Sequence, residues 1–74
     1  MTQKQKRDTE AEYSNEAFVE KLRRLADAIE GGDRFEIMID GERIYIPKGA
    51  RLSVEHEREG QEEEVEFQIR WTNS

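Results

Sequence analysis

The chain has 74 residues, 34% hydrophobic and 41% charged, with 18 acidic against 12 basic side chains and a net charge of −6. That length suits one domain, and the surplus of carboxylates disfavours nucleic acid and anionic membranes, which are gripped by Lys and Arg. No cysteine is present, which excludes a disulfide and leads us to expect a cytoplasmic setting. No apolar run suits a membrane span or a signal peptide. Chains this short usually need a disulfide, a metal or a partner subunit to hold their fold. With the disulfide gone, self-association moves forward.

Residues 1–7 carry Lys4, Lys6 and Arg7 without any period and read as a flexible basic tail. One domain is expected over 8–72, with 73–74 as a C-terminal tail. From Asp8 to Tyr13, Thr9, Ala11 and Tyr13 alternate with Glu10 and Glu12, which predicts a short edge strand. Ser14 then offers an N-cap, and Glu16 places negative charge in the first turn of a helix. Phe18, Leu22, Leu25 and Ile29 recur at helical spacing as one apolar stripe. Gly31 and Gly32 end it.

Two hairpins follow. Phe35, Ile37 and Ile39 alternate with polar neighbours up to Asp40-Gly41, a type I′ turn signal, and Ile44 and Ile46 continue the pattern. The turn sets Ile37 opposite Ile44 and Phe35 opposite Ile46, so both strands present one apolar face. Pro47 stops the second of them. Leu52, Val54 and His56 then alternate with Arg51, Ser53, Glu55 and Glu57. Gly60-Gln61 suits a type II′ turn that places Val54 opposite Phe67, Leu52 opposite Ile69 and His56 opposite Val65, with Trp71 extending the same face.

The expected fold is α+β in the order β-α-β-β-β-β. One amphipathic helix packs on one face of an antiparallel sheet of four or five strands, with the first strand placed beside the last. The alternative sets that strand beside the second, with the helix as a parallel crossover.

The helix Val19–Ile29 with its two glycines, the segment Val54–Arg58 and the closing Val65-Glu-Phe-Gln-Ile-Arg-Trp71 together resemble the amphi-Trp domain family. These are small acidic proteins named for an amphipathic strand ending in tryptophan. The resemblance covers roughly residues 8–71. It implies no established activity and carries over no catalytic residue.

His56, the single histidine, invites a metal or acid–base reading. Strand alternation turns its neighbours Glu55 and Glu57 to the opposite face, and one imidazole with one carboxylate, diagonal Glu63, falls short of a zinc site. On the outer face, Glu55 should oppose Glu66 and Glu57 oppose Glu64, while Arg51 opposes Arg70, and like charges set opposite each other destabilise a sheet. Three readings follow: a solvated face, a hard-cation site at Glu55, Glu57, Glu64 and Glu66, or a two-fold interface joining acidic to basic ends. Met38, Arg43 and Tyr45 form a second outer patch of interface-prone residue types. The glycines serve caps and turns rather than a phosphate loop, and no cofactor is expected. The sequence therefore predicts a non-catalytic protein-interaction or self-assembly module, with a cation-binding accessory domain as the alternative.

Overall fold

The computed structural model describes residues 6–73. The order is α1 (Asn15–Gly31), β1 (Phe35–Ile39), β2 (Glu42–Ile46), β3 (Arg51–Glu59) and β4 (Glu62–Arg70), an α+β arrangement of one helix and four strands. Of the basic tail expected over 1–7, residues 1–5 lie outside the described range.

The helix starts where its cap chemistry places it. Ser14 Oγ accepts from the amide of Ala17 at 3.2 Å, relieving one of the first-turn donors that no helical carbonyl can reach. At the other end the Gly32 amide donates to Ile29 and the Asp33 amide to Ala28, at 3.2 and 2.9 Å. This paired bond pattern closes a helix on a left-handed residue.

Both hairpins hold the expected register. Phe35 faces Ile46 and Ile37 faces Ile44; Leu52 faces Ile69, Val54 faces Phe67 and His56 faces Val65. Asp40 and Gly41 have φ of 46° and 82°, both left-handed, as a type I′ turn requires. In the second turn Gly60 is left-handed at 61° and Gln61 is not, as type II′ requires.

Two expectations are corrected. Residues 8–13 form no strand; their alternating set of Thr9, Ala11 and Tyr13 offers too little apolar bulk to hold an edge. Nor do the hairpins join in one sheet: β1 pairs only with β2 and β3 only with β4. The junction at 47–50 begins with Pro47, which has no amide to donate, and passes through Gly49 at φ 84°. This break carries β3 out of reach of β2.

The core is consequently smaller than the apolar pattern foretold. Only Phe35, at 7% exposure, is buried among the described hydrophobic residues, with Ile37, Ile39, Ile44 and Ile46 half-buried around it. The helix contacts β1, and its half-buried residues are Ala17, Lys21, Leu25 and Ala28. Phe18, Leu22 and Ile29 of the expected stripe stand largely open. Only around a hollow lined by Leu25, Ile29, Phe35, Ile46, Leu52 and Ile69 do the helix and both hairpins converge. Beyond it the second hairpin projects away, and the molecule measures 43 × 31 × 24 Å. Among the described residues no helix is long and apolar enough to cross a membrane.

Candidate functional site

The second hairpin holds most of the candidate residues, and its two faces differ sharply. On the polar face the register sets Glu55 opposite Glu66, Glu57 opposite Glu64 and Arg51 opposite Arg70, as alternation demands. Carboxylate oxygens of Glu55, Glu57 and Glu66 lie within 4.8 Å of one another. A side-chain amide bridges two of them. Gln68 Nε2 donates to Glu55 Oε2 at 3.1 Å and to Glu66 Oε2 at 3.3 Å, and its own oxygen accepts from Ser53 Oγ at 3.0 Å. The pattern revealed the opposed charges but gave no sign of the bridging amide, whose reach depends on rotamers.

Glu64, the fourth predicted carboxylate, stands beside this group. Its pKa is raised above the ordinary 4.5, first by the charge on Glu66, then by desolvation, by a hydrogen bond with Glu66, and by the charges on Glu57 and Glu10. Oxygen donors of this kind suit a hard cation. Here the Gln68 amide already supplies two of them with donors. At the base, neither Arg51 nor Arg70 forms an ion pair among the described residues.

The apolar face of the same hairpin is open. Phe67 is 72% exposed, Val54 63%, Val65 62% and Leu52 54%. Glu66 and Gln68, on the polar face, are half-buried. On the apolar face cover comes only at the base, where Ile69 and Trp71 are half-buried. At the tip His56 Nε2 meets Glu63 Oε1 at 2.9 Å, and Arg58 donates to the same oxygen at 3.1 Å. The histidine is a rim group with a polar partner, as the diagonal to Glu63 suggested.

On the first hairpin, Met38 and Tyr45 are about half exposed. Arg43 pairs with Glu36 at 3.2 Å, and the Arg34 guanidinium lies 5.7 Å from the centre of the Tyr45 ring. The structure leaves this patch separate from Arg51 and Arg70.

Two further arginines carry structure the sequence did not disclose. Arg24 sits 5.2 Å over the Phe35 ring and donates to the Glu36 carbonyl at 3.0 Å, tying helix to strand. Arg7, expected in the tail, donates to the carbonyls of Ile39 and Asp40 at 2.8 and 3.2 Å and pairs with Glu42 at 3.4 Å. Neither arginine belongs to an apolar period or a turn signal, so neither was legible.

Searches of curated proteins and of solved structures return no match. The family model for the Amphi-Trp domain matches residues 1–74, a wider span than the resemblance in its helix and closing strand. The chain belongs to the Amphi-Trp domain family.

Proposed function

We propose that this domain is a non-catalytic protein-contact and self-assembly module whose working element is the second hairpin. The observation that carries this reading is the exposure of Leu52, Val54, Val65 and Phe67 on a regular, fully paired hairpin. Scattered apolar residues on a surface are ordinary. Four on one face of one hairpin make a patch, and patches of this kind mark contact sites. The polar face adds a second possible contact, because its acidic end and the unpaired Arg51 and Arg70 could meet in reverse on a neighbour. The free hairpin edges, where the expected continuous sheet would be completed, could also accept a strand.

Solution mass by light scattering, measured across protein concentration at low and high salt, tests the reading. A mass above 8.8 kDa that grows with concentration is the expected result. An assembly that dissociates as salt rises would assign the contact to the charged face, whereas one that persists would assign it to the apolar face or to strand addition. A monomer at every concentration would remove self-assembly.

A further inference from the structure

We infer that the apolar face of the β3–β4 hairpin is the centre of a two-fold interface with a second copy of this chain. This rests on the reading of the domain as a contact module and goes further, because it names both the surface and the occupant.

The first argument is area. A compact chain of 8.8 kDa exposes about 4,800 Å². This one exposes 7168 Å², an excess of roughly 2,400 Å² over the compact expectation. Its radius of gyration, 14.2 Å, likewise exceeds the roughly 11 Å of a compact domain this long. The projecting hairpin contributes to that excess, with every residue from Arg51 to Val65 exposed. A stable interface needs about 800 Å² from each partner, and Leu52, Val54, Val65 and Phe67, each more than half exposed, would form its apolar centre. With one buried hydrophobic residue among the described residues and no cysteine, a partner subunit is one stabiliser still open to so short a chain.

The second argument is charge. Each copy carries −6, so two copies meet most easily through a surface that adds no like-charge contact. The acidic end of the polar face fails that condition, with Glu57 beside Glu64 and Glu55 beside Glu66. The apolar face meets it. Its charged residues at the tip, Arg58 and Glu63, already neutralise each other at 3.1 Å.

The third argument is symmetry. A two-fold contact must be complementary to itself, and an uncharged stripe of Val54, Val65 and Phe67 satisfies this when two hairpins stack face to face about 10 Å apart. A basic or acidic partner protein would find no net charge on this face to select it, because Arg58 and Glu63 offset each other.

The test uses the full chain. In an equal mixture of isotope-labelled and unlabelled protein, isotope-filtered NOE spectra should show contacts between copies, from the Phe67 ring to the methyls of Val54 and Val65. Phe67→Glu should weaken the dimer by roughly 30-fold or more and leave a chain of 8.8 kDa with unchanged helical circular dichroism, while Phe67→Leu should remain dimeric. The wild-type NOE result stands alone if Phe67→Glu fails to fold. A dimer that survives Phe67→Glu, or whose contacts between copies map to Met38, Tyr45 or Arg70, would overturn the assignment while keeping the contact module. A monomer with the Phe67 ring free would overturn the second copy as occupant and leave the face for another protein. A monomer whose Phe67 ring contacts Phe18 and Leu22 of its own helix would overturn both.

Discussion

The carboxylates around Glu64 raise its pKa, and the sign of that shift fixes a pH dependence. Its raised pKa means that the folded protein holds this proton more tightly than the unfolded chain does. Stability from this carboxyl is therefore fully present below its ordinary value of 4.5 and is lost as pH rises through the higher folded value. At neutral pH the ionised group works against the hairpin, chiefly through Glu66. Glu64→Gln should then raise the thermal midpoint at pH 7 by a small amount, and the gain should vanish below pH 4.5. Melts of both proteins followed by circular dichroism check this. Equal midpoints at pH 7 would mean that solvent and salt already screen the repulsion at so exposed a site. The opposition of these glutamates was legible because register follows from a turn. The bonds made by Gln68, Arg24 and Arg7 were not, since a long polar side chain leaves no period in the sequence.

The elements themselves were largely readable because each carries its own local instruction. Ser14 and the glycine pair bound the helix, and two turns of opposite type set two registers. Residues 8–13 failed as a strand for the same reason in reverse: alternation without apolar bulk gives a strand nothing to pack against. Gly60 offers a test of how independent the second hairpin is. Its φ is +61°, and an added Cβ would meet no heavy atom within 4 Å. Gly60→Ala should therefore act through backbone strain alone, roughly 1–2 kcal/mol. Because β3 and β4 approach the helix and the first hairpin only at their base, where Leu52 and Ile69 reach the shared hollow, strain at the tip should be felt locally. Amide exchange in β3 and β4 should accelerate by roughly 5- to 30-fold, with α1 amides unaffected. Equal acceleration in α1 would show that hairpin and helix open as one unit.

At the scale of the whole molecule, the pattern reported which side of each strand is apolar but not what covers it. Phe18, Leu22, Val54 and Phe67 read as core because alternation and helical spacing assign a face, and a face says nothing about whether its cover comes from the same chain. The step from hairpins to one sheet failed at Pro47–Ala50, where short length suggested a tight return and the backbone instead leaves β2 and β3 unpaired. If a second copy supplies the missing cover, stability cannot be separated from protein concentration. A two-state dimer of chains this long should gain roughly 5 °C in thermal midpoint for each tenfold rise in concentration, whereas a monomer should gain none. Salt separates the remaining mechanisms. Copies of charge −6 repel at long range, so salt should raise the midpoint of a dimer joined through its neutral face. A dimer joined by Arg51 and Arg70 against glutamates should instead lose midpoint as its attractions are screened. Calorimetry at two concentrations and two salt levels reads both signs, and a midpoint indifferent to concentration would return the search to the single chain.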